Sequence, residues 1–236
     1  CEYKKIKIDM IYSSTRGSDK NLKFGDVLLN GLAKDGGLYV PNSIKSYSEE
    51  ELDYLRELDY SNLAFELTKD FVQGEISVSE YKKICINSYK RSFGREIISF
   101  DKLDQHKYIA NLFNGPTYAF KDFALQLLGN IYDYVLKKRK MKITILGATS
   151  GDTGSAAIHG CAKSNNVKIF ILFPLNKVSE IQRKQMTTVN KKNVFNIAVK
   201  GNFDDCQRMV KNYFKLNNEN KKINLAAVNS INWVRI

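Results

Sequence analysis

The chain has 236 residues, 43% of them hydrophobic and 11% aromatic, so it is long enough to bury a sizeable core. The formal net charge is +12, but no nucleic-acid-binding motif accompanies it, so we interpret it as solvated surface charge. No apolar run could span a bilayer and no signal-peptide pattern opens the chain, which predicts a cytoplasmic protein that binds neither membranes nor nucleic acid. Four well separated cysteines and two histidines argue against a disulfide framework and a metal site.

Residues 1–100 are predicted to form a mostly helical N-terminal accessory domain. A short strand at 11–13 comes first, and apolar spacing predicts a helix from Phe24 to Ala33 that residues 35–37 would end. Residues 38–41 leave that helix as an extended segment. Further helices are predicted from Ser48, at 61–72 and at 77–93, and Ser48 with Glu51 forms a capping-box pattern. This region contains no catalytic constellation.

Residues 101–236 show a different pattern, in which short apolar strands alternate with helices. A helix of about five turns is predicted from Pro116 to Arg139, with the proline in its first turn. Such alternation predicts an α/β region with a parallel sheet. The predicted strands are 142–146, 167–173, 194–199 and 223–228, and the later helices follow residue 154, cover 178–189 and cover 201–216.

Lys121 lies near the predicted start of the long helix, between Phe120 and Phe123. A helix N-terminus carries partial positive charge and burial removes water, so both disfavour a second cation there. Both effects would favour the neutral amine, which is the form that makes a Schiff base. The alternative is an ordinary surface lysine that pairs with a nearby carboxylate.

The loop from Gly147 to Gly154 joins a predicted strand to a predicted helix. That position is the carboxyl edge of a parallel sheet, where α/β proteins bind ligands, and the helix N–H groups there attract anions. Thr149, Ser150 and Thr153 add hydroxyl donors, and Asp152 adds an acceptor for a phenol-like hydroxyl or an ammonium. The loop matches neither a Walker A motif nor G-x-G-x-x-G, and a purely structural turn is the alternative.

The segment 229–235 follows the last predicted strand and contains Asn229, Ser230 and Arg235. These residue types bind phosphate esters. On local grounds alone, a capped helix start with an exposed arginine explains the segment better.

Taken together and in this order, these segments resemble threonine synthases, from about Ile11 onward. The resemblance implies an enzyme of the tryptophan-synthase-β-like fold type II that uses pyridoxal 5′-phosphate. It would convert O-phospho-L-homoserine and water to L-threonine and phosphate. The segments that carry the resemblance are residues 14–17, 31–38, 114–123, 148–154 and 229–235.

The resemblance also implies roles for particular residues. Lys121 matches the family's Schiff-base lysine, which also moves protons, and Phe120 and Asp152 match cofactor contacts, with Asp152 beside the cofactor's 3′-oxygen. Substrate contacts are implied for Thr149, Ser150, Gly151 and Thr153 at the carboxylate, and for Asn229, Ser230 and Arg235 at the phosphate.

Members of the family continue well past Ile236, into a glycine-rich cup for the cofactor phosphate. We therefore expect the chain to be a truncated polypeptide that by itself binds the cofactor weakly and lacks normal turnover. Whether it acts as a monomer or a homodimer is left open.

Three alternatives remain. A threonine-synthase-like lyase would release 2-oxobutanoate instead of threonine. A non-catalytic phosphate- or nucleotide-binding module would use the Gly147–Gly154 loop without Lys121. A basic nucleic-acid-binding protein would show steeply salt-dependent binding.

Overall fold

The structure, a computed structural model, describes residues 10–31, 33–94, 96–220 and 223–227. Its first part is a set of short helices beside a two-stranded antiparallel sheet. Strands β1 (Tyr12–Ser14) and β2 (Tyr39–Pro41) form this sheet, and the helices are α1 (Phe24–Asn30), α2 (Glu49–Arg56), α3 (Tyr60–Thr68) and α4 (Val78–Lys90), with a 3-10 turn at Lys69–Val72.

Local capping signals explain where these helices begin. At α2 the Ser48 hydroxyl accepts from the Glu51 N–H at 3.3 Å, and the Glu51 carboxylate accepts from the Ser48 N–H at 3.0 Å. The predicted capping box is therefore confirmed. The predicted end of α1 was wrong, because Gly31 adopts φ +71° and its N–H already bonds the Val27 carbonyl at 3.0 Å. A glycine in the left-handed region ends a helix at once.

A second antiparallel hairpin, which the sequence analysis did not predict, follows the helical region. Strands β3 (Ser99–Lys102) and β4 (Tyr108–Asn111) pair along their full length, and both carry exposed apolar side chains such as Phe100 and Tyr108. Ser99 and Asn111 are partly buried and the other six residues are exposed, so neither strand has a buried face whose apolar pattern would mark it as a strand in the sequence.

A four-stranded parallel sheet forms the second part of the molecule. The strands, in the order β7-β6-β5-β8, pair in parallel throughout. This arrangement confirms the predicted α/β fold. The strands are β5 (Ile143–Ala148), β6 (Val167–Pro174), β7 (Val194–Val199) and β8 (Leu225–Ala227), and the helices are α5 (Lys121–Lys138), α6 (Asp152–Cys161), α7 (Glu180–Thr187) and α8 (Phe203–Asn220).

Helix α5 begins at Lys121, so the predicted start at Pro116 was wrong. Residues before it form a turn in which Tyr118 adopts φ +58°, outside the helical region. The buried carboxylate of Asp122 accepts from the Thr117 N–H and from the Thr117 hydroxyl, each at 2.8 Å. These bonds fold the chain back before the helix and bring Lys121 to its first position.

One hydrophobic cluster connects the first part of the molecule, α5 and the parallel sheet. Tyr12, Leu128 and Ile145 belong to it and come from these three parts in turn. The Tyr132 hydroxyl of α5 also donates to the Leu28 carbonyl of α1, at 3.2 Å. The division into domains at residue 100 stays a prediction.

In the described ranges, no helix is both long and apolar enough to cross a membrane. The same residues include no group of three or more His, Cys, Asp or Glu side chains that could hold a metal ion.

Candidate active site

The first residues of α5 and α6 meet at the candidate site. The Lys121 ammonium of α5 bonds the Asp152 carboxylate of α6, and 15% of the Lys121 side chain is exposed. The Phe120 ring lies beside the same amine, with the nitrogen 4.7 Å from the ring centroid. The Lys121 side chain is therefore largely buried, and its amine lies between a carboxylate and an aromatic ring.

Asp152 accepts two hydrogen bonds in the structure. Its second oxygen accepts from the Thr153 N–H at 2.8 Å, while the first bonds Lys121. Partial burial raises the pKa of Asp152, but the hydrogen bond and charge of Lys121 and the Thr153 N–H outweigh it, so the pKa lies below its usual value. Asp152 is thus an ionised acceptor at the N-terminus of α6.

The Gly147–Gly154 loop is shaped from within by Thr149. The Thr149 hydroxyl oxygen accepts from the Gly151 N–H and from the Gly154 N–H, both at 2.9 Å, and the residue is 2% exposed. Its own N–H bonds the Leu172 carbonyl of β6 at 2.9 Å, which extends the parallel pairing past β5. The loop is therefore anchored to the carboxyl edge of the sheet, as predicted from its position after a strand.

Glycine is required at two places in this loop. Gly151 adopts φ +146° and ψ −70°, a conformation that side chains with a Cβ rarely adopt. A Cβ on Gly154 would lie 2.5 Å from the Thr149 methyl carbon and 2.8 Å from the Met186 sulfur, closer than atoms can pack. Both glycines thus serve the loop's close packing.

The remaining predicted residues fall into three groups. Ser150 is exposed and Thr153 is partly exposed, so neither residue is enclosed by the loop. Thr149 is instead buried with its oxygen engaged, and Gly151 uses its N–H inside the loop. Asn229, Ser230 and Arg235 lie outside the residues that the structure describes. Substrate contacts by any of these residues stay predictions.

Sequence reasoning missed two side chains that reach the site from α7. Gln185 donates to the Thr117 carbonyl at 3.0 Å, and Gln182 lies against Gly151. Their spacing of three places both on one helix face, but glutamines at that spacing are common on solvated helices. Only the fold reveals that this face is turned toward the loop.

Comparison with known proteins gives consistent results along the chain. Residues 11–89 match the family model described as "Threonine synthase N terminus". A threonine synthase of Pseudomonas aeruginosa is 51% identical over 227 residues, which are 96% of this chain and 48% of that protein. The chain therefore spans about half the length of the curated relatives it matches.

Solved structures show the same similarity. A threonine synthase from Brucella melitensis, described as bound to pyridoxal phosphate, superposes with a TM-score of 0.90 at 42% identity. The match covers 96% of this chain and 49% of that one. The yeast threonine synthase superposes with a TM-score of 0.87 at 40% identity, over 95% of this chain and 47% of that one.

Proposed function

We propose that this chain is the N-terminal portion of a threonine synthase. It supplies the amine and the loop of a pyridoxal-phosphate site. The proposed reaction converts O-phospho-L-homoserine and water to L-threonine and phosphate. The observation that carries the proposal is the contact between Lys121 and Asp152 at the carboxyl edge of the parallel sheet. No specific observation favours a function of another class, such as non-catalytic phosphate binding.

The residues at this contact fit the cofactor by their chemistry. A primary amine that is 15% exposed can bond covalently to an aldehyde, and the ionised Asp152 can accept from a phenolic hydroxyl. The aromatic face of Phe120 borders the same space. When bound, the cofactor would act as the electron sink for the reaction.

The chain's own residues would bind the cofactor and the substrate and move protons. We propose that Lys121 holds the cofactor and moves protons at its amine nitrogen, since that nitrogen contacts Asp152 at the loop. The exposed Ser150 would donate to the substrate carboxylate, and the partial positive charge at the N-terminus of α6 would favour that anion. Thr149 would keep the loop in shape for that contact.

The family's relatives also guide the choice of partners. We propose a small-molecule substrate, a cytoplasmic location and no binding to nucleic acid or membranes, with the oligomeric state left as monomer or homodimer. Replacement of phosphate by water is proposed over elimination to 2-oxobutanoate because relatives at 41–51% identity are threonine synthases.

Product analysis tests the proposal in the protein expressed from its complete gene. With pyridoxal phosphate and O-phospho-L-homoserine, we expect threonine and phosphate in equal amounts. The Lys121→Ala variant should lose this activity, whereas Lys137→Ala, which changes an exposed lysine of the same helix, should retain it. Formation of 2-oxobutanoate in place of threonine would overturn the proposed reaction, and full activity of Lys121→Ala would overturn the proposed site.

A further inference from the structure

Helix α7 contacts both segments that form the candidate site. One segment is the turn at residues 115–118, which ends three residues before Lys121, and the other is the Gly147–Gly154 loop, which carries Asp152. Lys121 and Asp152 come from different helices, so their separation depends on the packing of α5 against α6 and on what connects these two segments. The contacts of α7 supply such a connection.

Gln185 connects α7 to the first segment. Its side-chain amide donates to the Thr117 carbonyl at 3.0 Å in a partly buried position. A carbonyl can only accept, so the donor must be the amide nitrogen. Thr117 also donates twice to Asp122, the residue after Lys121, so a contact at Thr117 reaches the start of α5 directly.

Gln182 and Met186 connect α7 to the second segment. A Cβ on Gly151 would lie 2.1 Å from the Gln182 side-chain oxygen, so the glutamine lies directly against the loop backbone. The Ser179 hydroxyl donates to that oxygen at 3.0 Å, and the same hydroxyl accepts from the Gln182 N–H at 3.3 Å. The fully buried Met186 packs against Gly154 in the same loop.

We propose that Gln182 and Gln185 are positioning residues and that α7 braces the two segments at a set separation. Gln185 bonds a residue four positions before Lys121, and Gln182 contacts the residue directly before Asp152. Loss of either contact lets one segment move relative to the other. The brace follows from these contacts alone, while its effect on catalysis rests on the proposed function.

Amide hydrogen exchange in the protein expressed from its complete gene, without added cofactor, tests the brace. The key variant is Gln185→Glu, because a carboxylate has the same length but cannot donate to the Thr117 carbonyl. We expect exchange in peptides covering 115–123 and 147–154 to become about five-fold faster or more, as loss of one hydrogen bond implies. Gln182→Leu should accelerate exchange in the 147–154 peptide.

The matched control is Arg183→Gln, an exposed position on the same helix. It should leave both peptides unchanged within about two-fold, since surface changes away from contacts are nearly neutral. Unchanged exchange at 115–123 in Gln185→Glu, or equal acceleration in all peptides of the protein, would overturn the brace.

A second measurement separates the brace from the proposed function. In the same protein, Gln185→Glu should lower kcat for threonine formation about ten-fold with little change in KM, because misplacement affects the reacting amine more than substrate binding. A rise in KM at unchanged kcat would overturn a positioning role. Should the wild-type protein form no threonine, the proposed function fails, and the exchange experiment still decides on the brace.

Discussion

At the scale of single residues, the ion pair of Lys121 and Asp152 makes stability depend on pH. The folded-state pKa of Asp152 lies below its ordinary value of about 3.9, so the ionised carboxylate stabilises the fold above that value. This contribution is lost as pH falls through the lowered pKa. Asp152→Asn should therefore lower the free energy of unfolding at pH 7 by about 0.5–1 kcal/mol, a small value because 35% of the side chain is exposed.

Urea unfolding at pH 7 and below about pH 3 would measure this difference, which should shrink at the lower pH. Glu180→Gln serves as the control, since Glu180 forms an exposed pair with Lys184 that contributes little to stability. An equal deficit of Asp152→Asn at both pH values would contradict the assignment.

Thr149 allows a second residue-scale prediction. Its oxygen accepts from two buried N–H groups, so Thr149→Val leaves both unpaired and should lower the free energy of unfolding by about 2–4 kcal/mol. Thr149→Ser keeps the oxygen and should cost only about 1 kcal/mol. Denaturant unfolding distinguishes the two variants, and equal stability of both would show that the hydroxyl does not hold the loop.

The sequence pointed to the chemistry of these residues but not to their roles in the loop. Three hydroxyls in the Gly147–Gly154 loop all counted as donors to a ligand, yet Thr149 faces inward while Ser150 faces solvent. The difference depends on the backbone path at Gly151, which has φ +146°. No local pattern specifies that path, because glycine permits several.

At the scale of elements, α5 and α6 approach each other closely through glycines. A Cβ on Gly129 of α5 would lie 2.0 Å from the Gly160 carbonyl oxygen of α6, and a Cβ on Gly160 would lie 2.3 Å from the Leu125 carbonyl oxygen. The two helices carry Lys121 and Asp152 at their first positions. Their spacing therefore affects the candidate site as well as the core.

Gly129→Ala should destabilise the protein even though alanine favours a helix by about 1 kcal/mol. The added methyl meets backbone atoms, and forcing the helices apart costs about 1–3 kcal/mol beyond that gain. Lys137→Ala, on the exposed side of α5, should change stability by less than about 0.5 kcal/mol. Thermal unfolding measures both variants, and a rise in Tm for Gly129→Ala would contradict the close approach.

Most helices and strands could be predicted from apolar spacing and capping residues, as at Ser48 and in β6. The start of α5 could not, because Pro116 is also a good first residue of a helix. Its position in a turn depends on the bonds between Thr117 and the buried Asp122. These bonds become favourable only once the carboxylate is enclosed by the folded chain.

At the scale of the whole molecule, Arg139 joins three distant segments. Its guanidinium bonds Glu75 at 2.6 Å and Asp26 at 2.9 Å, at the opposite end of α5 from Lys121. The Glu75 side chain is only 9% exposed. The hydrogen bonds to Glu75 and Asp26 raise the pKa of Arg139, so the guanidinium stays protonated between the two carboxylates.

Arg139→Met should lower the free energy of unfolding by about 2–4 kcal/mol, because it leaves the Glu75 carboxylate buried without its partner. Arg139→Lys should lie between this variant and the wild type, since lysine keeps the charge but not the paired donors. Denaturant unfolding measures the series. The double change Arg139→Met with Glu75→Leu should recover part of the loss, and a further loss in the double variant would contradict the argument.

The sequence was least informative about contacts between residues that are far apart in the chain. Glu75 lies 64 residues and Asp26 lies 113 residues before Arg139, and each of the three charges alone resembles an ordinary surface charge. The contacts of α7 with the candidate site are equally non-local. Such pairs become visible only when the fold brings the segments together.

The central claim is that Lys121 is the amine that holds the cofactor. The most direct measurement incubates the protein, expressed from its complete gene, with pyridoxal 5′-phosphate, reduces it with borohydride and maps the adduct by mass spectrometry. We predict a single label on Lys121. A folded protein that carries no label at Lys121, or a label on other lysines alone, would contradict the claim.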